Sequence, residues 1–289
     1  FPTRRSSDLA VEYFISYYDY YQPEAYVASR DIYIEKEADI NEEIERLRHR
    51  ATRALLTRRD VIVVASVSCI YGLGLPEDYA RGVITLSKGE IIQRRKLLTR
   101  LEAVQFVRND IELKRGRYRV TGDTIDVHPS AEENWVRLSF FGDELEAIYI
   151  IHPVSGEIIE EKNDISLFPA THYVVSDQLD GAISRIKSEL EERVESLRAL
   201  GKIVEAQRLE QRTKYDIDMM SELGYCKGIE NYSRHLSGRP AGDPGGVLLD
   251  FFPKDFVTII DESHVTLPQI RGMYHGDLSR KNTLVEYGF

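Results

Sequence analysis

The tetrapeptide Asp261-Glu262-Ser263-His264 carries side chains that could perform metal-assisted acid–base chemistry. It follows the apolar run 256–260, and open α/β sheets bind their ligands beyond the carboxyl ends of such strands. In nucleoside triphosphatases one carboxylate at this place holds Mg²⁺, and a neighbouring one can orient the attacking water. Asp261 and Glu262 fit these roles as magnesium ligand and general base, although an acidic pair after a strand is more often a helix cap or a loop entry.

The sequence lacks the phosphate-binding half of such a site. A phosphate loop has the pattern GxxxxGK[ST], in which backbone N–H groups surround the phosphates. The nearest Gly-Lys pair, Gly201-Lys202, is followed by Ile203 and does not match this pattern. We therefore expect ATP and Mg²⁺ to bind poorly to this chain by itself.

Tyrosine is the unusual residue of the composition, with 17 Tyr against 10 Phe and one Trp, and six tyrosines lie in residues 17–33. A strand through Tyr17, Tyr18, Tyr20 and Tyr21 would present phenol rings on both faces, so a single buried face cannot hold them all. Phe would suit a core better, because a buried phenol needs a hydrogen-bond partner. Exposed tyrosines can stack on nucleic-acid bases, and the residues slightly favour that role over an aromatic core.

Charge is distributed unevenly along the chain. The whole chain has a net charge of −10, which argues against a simple basic nucleic-acid coat. Residues 17–37 carry −3, so any DNA contact there would rely on stacking, whereas residues 88–120 carry +6. That basic stretch is typical of a solvated face, a nucleic-acid patch or a dock for an acidic partner. The sequence has no run of about 20 apolar residues, and we expect a cytoplasmic protein.

The elements that would position these residues form an interrupted α/β domain. Residues 11–37 predict a β-hairpin or two extended arms, and Asp39 predicts the cap of a helix that runs to about Thr57. The apolar runs 61–67 and 256–260 predict strands of a parallel sheet, the first covered on both faces. Between them, residues 82–173 predict an inserted α+β domain, and residues 176–223 predict two helices that break near Gly201.

Five blocks of sequence closely resemble, in the same order, the UvrB family of bacterial nucleotide-excision-repair proteins: residues 11–26, 58–74, 207–220, 222–239 and 261–277. The resemblance extends over residues 11–289. It implies an α/β fold, an incomplete RecA-like helicase core with a tyrosine-rich β-hairpin, a helical subdomain and an inserted α+β domain of the UvrA-binding type. It also implies a helicase-like ATPase that receives damaged DNA from UvrA, verifies the lesion and recruits the nuclease UvrC.

The same resemblance predicts the domain boundaries. Residues 17–41 would be the hairpin, 82–175 the insert and 176–254 the helical subdomain. Residues 1–9 show no apolar periodicity, and the sequence itself predicts that they are a disordered or foreign end. Residues 10–16, 42–81 and 255–289 would belong to the RecA-like core. The chain resembles an internal fragment, because the family's phosphate loop would precede it, and a second RecA-like domain and the UvrC-binding region would follow it.

The resemblance also assigns candidate residues. DNA contacts would come from Tyr17, Tyr18, Tyr20, Tyr21, Glu24, Tyr26 and Tyr33. Lys36 and Glu230 resemble a pair that locks the hairpin to the core, and Asp261-Glu262 is similar to the family's second helicase motif. The UvrA contacts would be Arg108, Arg115 and Arg119, whereas Thr121 stands where the family commonly has another arginine.

Two other functions are considered. The chain could act only as a protein-interaction module that binds UvrA without DNA or ATP activity. It could also be an unrelated α/β enzyme that uses Asp261 and Glu262. A UvrA-binding assay tests the first of these, and ATP turnover that Glu262→Gln abolishes would support the second.

Overall fold

A computed structural model describes residues 9–16, 21–38, 41–173 and 179–289. The expected foreign end therefore lies almost wholly outside the described residues. The chain forms two compact units: the first takes its described residues from 1–17, 41–179 and 228–253, and the second from 18–40, 180–227 and 254–289. No helix in these described ranges is long and apolar enough to cross a membrane.

The helices and strands are named in chain order. The strands are β1 (Ala10–Phe14), β2 (Tyr21–Gln22), β3 (Ala25–Val27), β4 (Ile32–Ile34), β5 (Glu37–Ala38), β6 (Val61–Ala65), β7 (Ile84–Ser87), β8 (Val107–Arg108), β9 (Arg117–Thr121), β10 (Thr124–His128), β11 (Trp135–Phe141), β12 (Glu144–Ile151), β13 (Ile158–Lys162) and β14 (Asp164–Leu167). The α-helices are α1 (Glu42–Thr57), α2 (Pro76–Arg81), α3 (Arg94–Ala103), α4 (Leu179–Ala199), α5 (Ile203–Leu223), α6 (Ser233–Leu236) and α7 (Ser263–Glu286).

The first unit contains a pair of parallel strands, β1 and β6, packed on α1. One face of β6 contacts a core built from Phe14, Ala51, Leu55, Tyr79 and their neighbours. The other face is open, since Ile62 and Val64 are 49% and 50% exposed. The prediction that residues 61–67 are covered on both faces is therefore wrong, because among the described residues β6 pairs only with β1 and has a packed layer on one side.

The cap of α1 is also different from the prediction. The Asn41 side chain accepts hydrogen bonds from the backbone N–H groups of Glu43 and Ile44, at 3.0 and 3.2 Å. The helix thus begins at Glu42, and Asn41 rather than Asp39 is its N-cap. Both residues are good caps by type, so local sequence alone does not choose between them.

The insert is a six-stranded sheet with the order β13-β12-β11-β10-β9-β8, covered by α3. The strands β9 to β12 form the predicted antiparallel meander, with turns at Gly122-Asp123 and Gly142-Asp143. Its core contains Leu97, Leu101, Tyr118, Ile125 and Leu138, all 0% exposed. A contiguous core of this kind is what allows the insert to hold surface residues at defined positions.

A buried polar cluster fixes both connections of the insert to α1. Nδ1 of His49 in α1 lies 3.1 Å from the hydroxyl group of Tyr79, which comes just before the insert in the sequence. The His49 ring stacks on the ring of His172, at the end of the insert, with the ring centroids 4.0 Å apart. The Thr52 hydroxyl lies 3.1 Å from Nε2 of His172. Burial, with the charges of His49 and Arg48, holds the pKa of His172 well below its ordinary value.

The second unit combines the hairpin strands β2 to β5 with α4, α5 and α7. The predicted break between the two long helices lies at Gly201, whose φ of +76° favours glycine. The helices α4 and α5 pack through Leu190, Val194, Leu197 and Ala206. Residues 256–260 form no strand, and Val257 and Ile259 are 84% and 89% exposed, so the predicted buried strand is wrong. Strand propensity needs a neighbouring strand and a packed face, and neither covers this run among the described residues.

Candidate functional site

The tyrosine segment forms an antiparallel hairpin in the part of it that the structure describes. Tyr21 and Gln22 pair with Ala38 and Glu37, and β3 pairs with β4 so that Tyr26 lies opposite Tyr33. The chain reverses through residues 28–31, where Asp31 has a φ of +50°. Tyr17, Tyr18 and Tyr20 lie outside the described residues, and only the backbone of Tyr21 is described.

The rings of Tyr26 and Tyr33 pack against the residues that follow α7. Tyr33 stacks on Phe289, with the ring centroids 4.5 Å apart and the planes 3° from parallel. Tyr26 contacts Tyr287 and Phe289 at 4.9 and 4.8 Å. Their hydroxyl groups donate to carboxylates, Tyr26 to Asp31 at 2.6 Å and Tyr33 to Glu24 at 2.5 Å. One face of Tyr33 is therefore covered, and neither phenol is a bare stacking platform.

Glu24 is the centre of a charged network inside the second unit. Its Oε1 accepts hydrogen bonds from Tyr33 and from Arg212 of α5, the latter at 2.9 Å. Its backbone carbonyl accepts a bond from Arg280 of α7. Burial would raise the pKa of the Glu24 carboxyl, but the hydrogen bonds from Tyr33 and Arg212 and the two arginine charges hold it below its ordinary value. Burial and the bond to Glu24 raise the pKa of Tyr33 to about 12.

Sequence reasoning missed the helical arginines around this network. Arg208 lies over the Phe289 ring at 4.2 Å and donates to the Tyr287 carbonyl at 2.8 Å, whereas Arg212 binds Glu24. The signal was present in the sequence, since Arg208 and Arg212 are four residues apart and share one face of a helix. A guanidinium group beside aromatic rings is a common feature of surfaces that bind single-stranded nucleic acid.

The predicted hairpin lock stays a prediction. Lys36 belongs to the second unit, between β4 and β5, whereas Glu230 belongs to the first unit, in a short 3₁₀ turn at residues 229–232. Inside the second unit, the Glu35 carboxylate binds Lys227 at 2.5 Å. That contact holds the residue next to Lys36 against the segment that follows α5.

The acidic pair lies in an exposed turn before α7. Glu262 is the N-cap residue of α7 with a φ of +46°, and its carboxylate lies 3.4 Å from His264. The Asp261 carboxylate accepts the Glu262 backbone N–H at 3.0 Å. The expectation that both residues follow a buried strand is wrong, because residues 256–260 form no strand and are exposed. Here the pair has the helix-entry geometry that is common for such residues.

These two carboxylates do not by themselves fit a magnesium–nucleotide complex. Across the residues that the structure describes, no three His, Cys, Asp or Glu side chains are grouped so that they could hold a metal ion. Mg²⁺ bound to a nucleotide also needs the phosphate oxygens to be held in place, and the sequence has no phosphate loop.

The three candidate arginines of the insert have three different surroundings. Arg108 is half-exposed and donates to the Asp110 carboxylate from two nitrogens, Nε and Nη2. Arg115 donates to the Glu132 carbonyl at 3.2 Å, and Arg119 binds Asp126 at 2.9 Å. Arg108 of the short edge strand is therefore the most available of the three to a partner.

Arg119 belongs to a cross-strand row of charges on the outer face of the sheet. Asp126 lies opposite both Arg119 and Arg137 and accepts hydrogen bonds from each, the shortest at 2.7 Å. Burial would raise the pKa of this carboxyl, but the bonds from Arg137 and Arg119 keep it below its ordinary value. Arg119 also covers the Trp135 ring at 4.9 Å. Sequence reasoning missed Asp126 and Arg137 because their pairing depends on strand register.

Two family descriptions match the chain. The UvrB interaction domain matches residues 84–173, which include the six-stranded sheet, and the UvrB third helical domain matches residues 177–238. Residues 84–173 contain twelve Lys and Arg and fifteen Asp and Glu, so the basic stretch belongs to a region that is acidic as a whole.

Curated relatives extend this similarity over nearly the whole chain. UvrABC system protein B from Micrococcus luteus is 58% identical over 281 residues, which are 97% of this chain and 40% of that protein. The corresponding protein from Mycobacterium tuberculosis is 58% identical with 39% of its length covered, and that from Caldicellulosiruptor saccharolyticus is 57% identical with 43% covered. This chain thus spans about two fifths of the length of these relatives. With both family domains matched in the same sequence, the chain belongs to the UvrB family.

Proposed function

We propose that this chain is the damage-probing and UvrA-docking part of a nucleotide-excision-repair protein that acts in the cytoplasm. The observation that carries the proposal is the 58% identity to UvrABC system protein B over 97% of the chain. The tyrosine hairpin and the interaction domain, which the proposal uses, both lie within the aligned length. ATP-driven damage verification and recruitment of UvrC are proposed for the longer protein.

On the DNA side, some of the tyrosines contact bases and the others hold the hairpin in place. Tyr17, Tyr18, Tyr20 and Tyr21 stack on bases at the base of the hairpin, at about 1–3 kcal/mol per stacked base. Tyr26 and Tyr33 instead hold the hairpin, because their rings pack on Phe289 and their hydroxyl groups are bonded to carboxylates. Glu24 contributes by fixing Tyr33 to Arg212 rather than by touching DNA.

On the protein side, the insert binds UvrA through arginines of the strands β8, β9 and β11. Arg108 can exchange the exposed Asp110 carboxylate for an acidic group of the partner at little cost, since a surface ion pair contributes about 0–1 kcal/mol. Arg119 and Arg137 present guanidinium groups whose orientation Asp126 already fixes. Orientation before binding lowers the entropy lost when the complex forms.

The DNA proposal is tested in a full-length protein in which this segment replaces the matching residues of the Micrococcus luteus relative. Tyr20→Ala with Tyr21→Ala should weaken UvrA-dependent loading onto a damaged duplex at least tenfold, because two stacking platforms are lost. Tyr215→Ala, on an exposed tyrosine of α5, is the matched control. Normal loading by a correctly folded double variant would refute the proposed DNA contact.

A second candidate, a UvrA-binding module without DNA or ATP activity, is favoured by one observation. The insert has its own sheet and core, whereas residues 256–260 and the acidic pair are exposed, and among the described residues the pair belongs to no group of three metal-ligating side chains. UvrA binding by this chain, together with no measurable affinity for damaged or single-stranded DNA, would support the module. DNA affinity lost in the double tyrosine variant would exclude it.

A further inference from the structure

Two apolar side chains stand exposed at one end of the insert. Phe141, the last residue of β11, is 77% exposed, and Ile91 is 81% exposed. Phe141 lies directly opposite Glu144, and Ile91 forms an antiparallel bridge with Glu144 on its other side. Because directly opposed residues of antiparallel strands share a face, Phe141, Glu144 and Ile91 form one row about 10 Å long, here called the end row.

The end row is held by backbone hydrogen bonds. The backbone N–H of Leu145 donates to the Glu90 carbonyl at 2.9 Å, and the N–H of Gly89 donates to the Leu145 carbonyl at 2.8 Å. The N–H of Ile92 donates to the Asp143 carbonyl at 2.8 Å. Along β11 the side chains alternate, so Phe140 is buried at 4% exposure while Phe141 is turned outward. The register shift beside Phe140 leaves Glu146 of β12 without an opposite residue and does not interrupt this alternation. The backbone that carries the end row is therefore already ordered before a partner covers the side chains, which lowers the entropy lost on binding.

The charged residues of the end row and of its own turn are acidic. Glu144 lies between the two apolar side chains, and Asp143 precedes it in the turn, both exposed. On the neighbouring turn, the Asp123 carboxylate is 74% exposed and is bound to Arg94. This acidic edge disfavours a nucleic-acid backbone, which such carboxylates repel, and it is complementary to a protein surface that carries Lys or Arg.

We propose that the end row is a second docking site of the insert, for a protein surface that has an apolar pocket beside a basic side chain. Phe141 and Ile91 fill the apolar pocket, and Glu144 pairs with the basic group between them. Exposed aromatic anchors of this kind are frequent centres of binding energy. The inference rests on the proposed partner-binding function of the insert and adds to it a site separate from Arg108, Arg115 and Arg119.

The test measures the affinity of the whole chain for purified UvrA of Micrococcus luteus by titration calorimetry. Phe141→Ser and Ile91→Ser should each raise Kd at least tenfold, and Glu144→Lys should do the same with a weaker dependence on salt. Val154→Ser is the matched control, since Val154 is 89% exposed in the turn at the far end of β12, and its Kd should stay within about twofold. Thermal melting of each variant checks the fold, and Phe141→Leu should recover most of the affinity.

Each other outcome overturns the inference. If Phe141→Ser binds as tightly as the wild type while Arg108→Ala is impaired, the end row is not a docking site, although the proposed function stands. If the wild-type chain does not bind UvrA at all, both the proposed docking function and the end row fail. If Phe141→Ser abolishes self-association of the chain and leaves the UvrA affinity unchanged, the occupant is a second copy, and the inference is wrong.

Discussion

Removing the charge of Asp126 should destabilise the insert more than removing any exposed carboxylate of the same sheet. The residue is 2% exposed and accepts bonds from Arg119 and Arg137, whose side chains are 26% and 34% exposed. Asp126→Asn leaves two guanidinium groups with a single neutral acceptor. A hydrogen bond to a charged group contributes about 1.5–3 kcal/mol, and Asp126 accepts such bonds from two arginines. Partial solvation of the arginines reduces the sum, so we expect a loss of about 2–3 kcal/mol in the free energy of unfolding.

Asp123 provides the matched control. Its carboxylate binds Arg94 at 2.9 Å, the same distance as the Asp126–Arg119 pair, but it is 74% exposed. Asp123→Asn should therefore cost less than about 1 kcal/mol. Urea unfolding at neutral pH, followed by the fluorescence of Trp135, compares the two variants with the wild type. Equal losses for the two variants would refute the reasoning, because burial would then have no influence on the strength of the pair.

The pH dependence of the Asp126 contribution gives an independent check. The pKa of this carboxyl is lower in the folded chain than in the unfolded chain, where it is about 3.9. The stabilisation is therefore complete above that unfolded value and is lost as the pH falls through the folded pKa. The stability difference between wild type and Asp126→Asn should be constant near neutrality and should shrink below about pH 4. A difference that persists unchanged in strong acid would contradict the charge argument.

Three further predictions concern the backbone, a buried ring and the hairpin. Gly246→Ala should cost more than about 2 kcal/mol of stability in urea unfolding, because an added Cβ would stand 2.3 Å from the Gly74 carbonyl oxygen, whereas Gly245→Ala should be tolerated. The pKa of His172 is lowered in the folded chain, so at pH values below about 6.5 this residue is protonated in the unfolded chain but should stay neutral in the folded one. The free energy of unfolding should therefore decrease as the pH falls below about 6.5, and His172→Phe should reduce this decrease. The Tyr33 phenol should ionise near pH 12, which an ultraviolet titration of the wild type against Tyr33→Phe measures.

Each of these predictions has an outcome that would contradict it. Equal stability of the Gly246 and Gly245 variants would show that the loop has room for a Cβ. A ring of His172 that gains a proton near pH 6.5 in an NMR titration would show that it is open to solvent. A Tyr33 that ionises near the ordinary value of about 10 would show that its bond to Glu24 does not form.

Local patterns were sufficient for the meander, the two long helices and the hairpin. Turns at Gly122 and Gly142, alternation along β9 to β12, and the helical break at Gly201 are each set by a few neighbouring residues. The same kind of pattern was wrong for residues 256–260. An apolar run has a propensity for strand, but a strand also needs a partner and a packed face, which are properties of the surroundings.

The sequence alone also identified the candidate residues by type, but it could not show which of them are already engaged. Tyr26 and Tyr33 meet the requirements for base stacking, yet Phe289, more than 250 residues away, covers one of them and contacts the other. Arg119 is as basic in sequence as Arg108, but only the strand register places Asp126 beside it.

Residue identity and short-range spacing are sufficient to identify the family, the order of most elements and the chemistry of the side chains. The folded chain is needed to show which groups face each other: Glu24 with Arg212, Asp126 with two arginines, and Phe141 beside Ile91 around Glu144. Phe141 and Glu144 are only three positions apart, but Ile91 lies 53 positions from Glu144, and Arg212 lies 188 positions from Glu24. Their geometry follows from the packing of whole elements, which no local pattern specifies.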